Sequence, residues 1–448
     1  MGTSPSPPFS SNNVSFLLLV LYEKGLTKAT QAFKVTNTKS RRLVMAVSGK
    51  CDPKFERVRD EFEHNFKERE EVGASVCVTL DGETVVDLWG GTADVDTGKP
   101  WKEDTVSVVF SSTKGATALC AHILASRGLL DIYAPVVEYW PEFGQAGKEN
   151  ITVKMLLNHQ AGLPHVRRTL PQGAYYNWDI MVHALEEQEP FWEPGTRHGY
   201  QFIVFGWLVG EVVRRVSGKS LGRFFQDEVA KPLGLDFWIG LPEDIEPRVS
   251  RIIMVDPQQM METPFGQAMA DPNSIPGLCM LNDGGTLSVT GVDSRAFHAA
   301  EVGGAGGITN ARGLAGMYAP LACGGSLKDV DLADRDTLAL MSAVSSTTSQ
   351  DMTLLIPIRF ALGFIKSCDN RRQPPGMQDS IILSEDAFGH PGMGGSIGFA
   401  DPRERISFGY MMNKMGPGVG LNPRGQSLVD AVYISLGFRS NASGGWLR

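Results

Sequence analysis

The chain has 448 residues, 42% hydrophobic and 9% aromatic, which suits one large well-cored globular unit or two to three ordinary ones. A formal net charge of −8 argues against nucleic acid as the main partner. The six cysteines (Cys51, Cys77, Cys120, Cys279, Cys323, Cys368) form no Cys-x-x-Cys pair, which excludes a zinc ribbon or dithiol redox motif and suits a reducing compartment.

Residues 1–44 are rich in Ser, Thr and Asn, then in Lys and Arg, and read as an N-terminal extension with Met45 as an internal start. The apolar run from Val14 to Tyr22 is too short to span a bilayer, and no basic residue precedes it as a signal peptide requires. Over 52–70, Phe55, Val58, Phe62 and Phe66 recur at helical spacing among charges, which predicts an amphipathic helix. Strands follow at 76–80 and 84–89, joined by the hairpin signal Asp81-Gly82. A helix runs from Ser111 to Arg127, with Leu119, Cys120, Ile123 and Leu124 inward and Gly128 ending it.

From about 129 to 300 the pattern is helix and loop, including a buried helix over 202–216. The glycine-rich stretch 303–307 precedes Asn310 and a further helix to about Leu321. A second hairpin joins 396–400 to 406–412, and 427–436 reads as a closing helix. Strands at both ends and helices between them predict an α+β fold: one antiparallel sheet built from both chain ends, flanked by helices, with a helical region inserted. The predicted division is 45–118 with 300–448 as the sheet domain and 119–299 as the helical domain, with the site in the cleft between them. Gly218-Lys219-Ser220 has Val213 where a phosphate-binding loop needs glycine, so that motif is excluded.

Ser111 and Lys114 form the only Ser-x-x-Lys in the chain. At a helix start they share one face about a turn apart. There a neutral lysine, its pKa lowered by the helix N-terminus, accepts the serine proton and makes a nucleophile without histidine. The tetrapeptide alone does not separate this from an N-cap serine beside a solvated lysine. Tyr200, just before the buried helix, is the candidate proton relay. Tyr175 and Asn177 form a literal Tyr-x-Asn, but in a polar loop. Ser396, within Gly394-Gly395-Ser396-Ile397-Gly398, competes as a nucleophile elbow. That motif needs a following helix and a downstream histidine, and this chain has neither after His390. The glycines fit better as a turn into an edge strand.

In order, the chain carries Ser111 to Lys114, 156–164, Pro194 to Tyr200, 205–211, 232–235, 389–396 and 399–402. This ordered set resembles the serine β-lactamase and penicillin-binding-protein superfamily, and more closely the family VIII bacterial carboxylesterases. The resemblance implies a β-lactamase/transpeptidase-like fold and a cofactor-free carboxylesterase with Ser111 as nucleophile, Lys114 as base and Tyr200 as the tyrosine of Tyr-x-Asn. His390, Pro391 and Gly392 stand for the Lys-Thr-Gly strand. The strand that begins there lends a backbone amide near Met393, Gly394 or Gly395 to the oxyanion hole, and Ser111 lends the other. Phe202 replaces the asparagine and His390 the lysine, which disfavours efficient β-lactam hydrolysis. His159 is expected to orient a turn, and His198 to line the cleft. The implied partner is a small ester, without nucleic acid or membrane insertion, in the cytoplasm of a bacterium, and assembly into a homo-oligomer is left open. Alternatives are a β-lactamase, a D-amino-acid peptidase or an acyltransferase on the same machinery, or a non-catalytic scaffold.

Overall fold

The computed structural model describes residues 47–448, so the extension, its apolar run and the Met45 start lie outside the described residues. Nine strands build one antiparallel sheet: β1 Ser48–Cys51, β2 Gly73–Leu80, β3 Glu83–Asp94, β4 Ser346–Thr348, β5 Ile358–Phe360, β6 Ile365–Lys366, β7 Phe388–Pro391, β8 Ile397–Asp401 and β9 Ile406–Met412. Their order is β1-β3-β2-β9-β8-β7-β6-β5-β4, with Lys99–Pro100 added beside β3. The ladder between β2 and β9 runs from Leu80 opposite Ile406 to Ala74 opposite Met412, so the two chain ends meet in mid-sheet as the pattern predicts. Asp81 and Gly82 both take positive φ (53° and 81°), as a two-residue hairpin with matching twist requires.

Five helices frame the sheet and the site: α1 Glu56–Glu68, α2 Thr113–Ser126, α3 Phe205–Ser217, α4 Ala311–Ala322 and α5 Pro423–Ser435. Successive side chains on a strand point to opposite faces, and this assigns the layers. Gly398 and Gly409 are register partners, and a Cβ at either would strike α4, at Tyr318 and at the Ala311 carbonyl respectively. Their neighbours Phe399 and Tyr410 point the other way, where Phe399 stacks on Tyr433 of α5 and the Tyr410 hydroxyl meets Glu71 just after α1. The sheet is thus buried on both faces, and β9 is buried along its whole length.

Helix α2 departs from its predicted one-sided burial, because every residue from Thr113 to Leu124 is inside. Its inward polar groups are matched individually: Thr117 Oγ1 donates to Gly303 O (2.7 Å), and His122 Nε2 lies 2.8 Å from Leu362 O. Helix α3 packs beside it and starts at 205, three residues later than predicted. A three-stranded sheet of Ser107–Val108, Gly307–Thr309 and Phe237–Ile239 lies at the start of α2, its last strand falling within the stretch read as helix and loop. Strands β4 to β6, of two or three residues each, were not foreseen. They extend the sheet past β7, so β8 is an interior strand and not the predicted edge. Among the described residues, no helix is long and apolar enough to cross a membrane.

Candidate active site

The nucleophile candidate sits on a pinned turn. Phe110–Ser112 is a single 3-10 turn running into α2, and Phe110 holds φ +45°, a strained value for a bulky residue. Thr113 Oγ1 donates to Phe110 O (2.5 Å) and accepts from Gly307 N (2.8 Å), while Val109 N donates to Gly307 O (2.9 Å). Ser111 is therefore not the N-cap of the helix. Position Ser112 takes that place without a side-chain cap, and its Oγ lies 3.1 Å from Ser396 Oγ.

Lys114 Nζ lies 3.1 Å from Ser111 Oγ and donates to Gly304 O at 2.8 Å. The side chain is fully buried with no carboxylate beside it. Burial holds its pKa well below the ordinary lysine value, so desolvation, and not the helix terminus, is the dominant cause. A neutral amine keeps two N–H bonds and one lone pair. With one N–H on Gly304, the lone pair is free to face Ser111.

Tyr200 closes the other side. Its side chain shares the cavity wall with Ser111, Lys114 Nζ lies 4.7 Å above its ring, and burial pushes its pKa above the usual tyrosine range. Its backbone N–H donates to both carboxylate oxygens of Asp351 (3.1 and 3.0 Å). Asp351 is buried in a loop, also accepts from Thr353 N and Leu354 N at 2.8 Å, and lies 3.2 Å from His198 Nδ1. Sequence reasoning missed it; the only signal was a local Asp-x-Thr turn pattern.

His390 lies at the end of β7 and lines the same space. Its Nδ1 donates to Pro391 O (2.7 Å), since a carbonyl can only accept, which leaves Nε2 as a buried lone pair with no partner. Burial, then the charge of Lys114, pushes its pKa down to about 3. Residues 392–395 form the turn from β7 to β8, so the strand ends where it was predicted to begin. Gly392 N donates to Ser396 O (2.7 Å) and Gly395 N to Gly392 O (3.0 Å), whereas among the described residues the Met393 and Gly394 amides have no acceptor.

The other residues singled out support the scaffold, His159 with its ring 4.9 Å from that of Tyr200. Ser396 is buried, donates to Val109 O (2.9 Å) and leads into β8, so it is part of the scaffold. His159 accepts from Gln201 N at 3.2 Å, the turn-orienting role expected of it. His198 does not line the cavity; it bridges Asp351 and Ser346 Oγ (2.6 Å) instead. Tyr175 is buried against Trp207, and Asn177 caps the next helix through Ile180 N.

Ser111 and Tyr200 open on a cavity walled mainly by Phe202, Leu354, Ile356, Ile358, Ile365 and Ile381. Phe202 fills the place expected for asparagine and packs on Phe265, the rings 6.0 Å apart. A hydroxyl, an amine and a phenol brought together beside an apolar cavity can transfer an acyl group without histidine.

The model of the Beta-lactamase family matches residues 58–432. Esterase/beta-lactamase LipL of Mycobacterium tuberculosis is 35% identical over 379 residues, covering 82% of this chain and 83% of that protein. A family VIII carboxylesterase crystal structure shares 39% identity over 87% of this chain and 100% of its own, with a TM-score of 0.77. EstA from Arthrobacter nitroguajacolicus shares 32% identity over 88% and 100%, with a TM-score of 0.76. With its fold matched to solved structures along nearly its whole described length, this chain belongs to the beta-lactamase family.

Proposed function

We propose that the chain is a serine carboxylesterase that cleaves short- to medium-chain carboxylic esters through an acyl-enzyme. The observation that carries this reading is the Ser111–Lys114–Tyr200 contact set beside a mostly aliphatic cavity. Ser111 Oγ attacks the ester carbonyl carbon while neutral Lys114 takes its proton. The N–H groups of Ser111 and Met393 hold the oxyanion; Met393 is chosen because it lines the cavity and its amide is uncommitted, whereas those of Gly392 and Gly395 are already bonded. Collapse breaks the bond to the alcohol oxygen, which receives the Lys114 proton by way of Tyr200. Water then attacks the acyl-enzyme, the same groups move its proton, and the acid leaves. The cleft lies between the sheet domain, 45–118 with 300–448, and the helical domain, 119–299. The names of LipL and the family VIII structure support the esterase reading.

The β-lactamase reading keeps the machinery and changes the substrate, and LipL carries both names. A neutral His390 and the Phe202 ring favour the ester. Steady-state kinetics on p-nitrophenyl acetate and butyrate beside nitrocefin test it. A larger kcat/KM for nitrocefin than for every ester tried overturns the esterase assignment. A serine-directed phosphonate that fails to label Ser111 overturns catalysis altogether and leaves a scaffold.

A further inference from the structure

The cavity beside Ser111 has one acidic side chain in its wall, Asp379. The same residue lines a smaller adjoining pocket with Met260, Pro264 and Phe265. Asp379 thus lines both spaces, with the Phe202 ring on the wall of one and the Phe265 ring on the wall of the other. It is held in place from several sides. Its Oδ2 accepts from Val419 N at 2.8 Å, Asn370 Nδ2 donates to its carbonyl at 2.7 Å, and Leu421 N ties down Ser380 O at 3.0 Å. Gly418 passes so close, at φ +86°, that a Cβ there would lie 2.3 Å from Oδ1.

What Asp379 lacks is a counter-ion. Among the described residues no lysine, arginine or histidine pairs with it, although burial raises its pKa and marks the cost of its charge. The one buried side-chain polar atom without a partner among the described wall residues, His390 Nε2, is also an acceptor. The cavity therefore offers a carboxylate, a lone pair and aromatic faces, and among its wall residues it offers no cation. That combination recognises an alkylated ammonium group.

Resting on the esterase reading above, we propose that Asp379 is a specificity-determining residue that selects esters carrying an ammonium group on the part that reaches its carboxylate. The test uses two sets of esters matched in shape. One set carries trimethylammonium, tert-butyl or carboxylate at the end of the acyl chain, and the other carries them at the end of the alcohol. In one set, the wild-type enzyme should favour trimethylammonium over tert-butyl by about tenfold or more in kcat/KM, with the carboxylate slowest. The set that shows the preference assigns the acyl or the alcohol side. Asp379→Asn keeps an acceptor for Val419 N, so it should abolish that preference while leaving the tert-butyl ester nearly unaffected. Equal rates for cation and isostere in both sets overturn the proposal, as does a preference that survives in Asp379→Asn. Should the variant not fold, wild-type inhibition decides. Tetramethylammonium chloride, against equal sodium chloride, should inhibit the tert-butyl ester competitively, and no inhibition overturns the proposal. Failure of the esterase reading looks different: the wild-type enzyme would not turn over the tert-butyl ester at all, and this proposal would fall with it.

Discussion

At the scale of single residues, the proposed chemistry rests on a lysine that burial makes costly to charge. Ser111→Ala should remove ester turnover and leave the fold intact, because among the described residues Ser111 Oγ hydrogen-bonds only Lys114 and holds no structural element in place; kinetics with a thermal melt checks both. Lys114→Arg should be equally inactive, since guanidinium keeps its proton. The sign of the pH effect follows from the lowered lysine pKa. Activity needs the neutral amine, so it should fall as pH drops through the folded-state pKa, far below the ordinary lysine range. Stability runs the same way. Between that pKa and 10.5 the unfolded chain binds the extra proton, so this residue's penalty is full at low pH and fades as pH rises to 10.5. Lys114→Met should therefore melt higher than wild type at neutral pH, with the gap closing toward pH 10. A lower melting temperature at pH 7 would show that the Gly304 bond outweighs the burial cost. Ser396→Ala, losing the bond to Val109 O, should cost about 0.5–1.5 kcal/mol by denaturant titration and keep substantial activity.

At the scale of elements, legibility followed length and periodicity. Helix α1, the Asp81-Gly82 hairpin and the Asn310-capped α4 each carry several turns or alternations of pattern, or a cap with its own chemistry, and each appears within a few residues of its reading. Strands β4 to β6 hold two or three residues, too few for any period to register, and only tertiary pairing makes them strands. In the candidate site, a helix start and an ordered motif set singled out Ser111, Lys114 and Tyr200, and the fold brings these three to one place. Asp351 and Asp379 were not, because each acts from a loop whose partners are distant in sequence. Element packing also sets a stability test on the sheet face away from α4. Arg424 at the start of α5 meets Glu71 after α1 at 2.8 Å, with both side chains buried and the Tyr410 hydroxyl on the same carboxylate. Glu71→Gln strands a buried guanidinium and should cost about 3–5 kcal/mol in denaturant titrations. Because neither residue lines the cavity, activity per folded molecule should stay near wild type. A loss of kcat without loss of stability would mean that this face is coupled to the site.

At the scale of the whole molecule, charge decides which acyl compounds can react. The chain carries a formal net charge of −8, and Lys114, 3.1 Å from Ser111 Oγ, is held toward neutrality by burial. His390 is neutral through the physiological range, with its free nitrogen an acceptor. A β-lactam brings a carboxylate to this wall and meets no cationic side chain among the wall residues, whereas a simple ester brings none. Losing one charge-assisted hydrogen bond costs about 1.5–3 kcal/mol, or roughly ten- to a hundredfold in rate. Nitrocefin should therefore trail p-nitrophenyl butyrate by at least that margin in kcat/KM. Replacing the histidine tests the cause directly. In His390→Lys, an ammonium on the cavity wall would meet the carboxylate, and the nitrocefin-to-butyrate ratio of kcat/KM should rise about tenfold. The ratio is the informative quantity, because damage to the fold or to Ser111 lowers both rates together and cancels. An unchanged ratio in a folded, ester-active His390→Lys would show that the Phe202 ring, and not the missing charge, keeps β-lactams out.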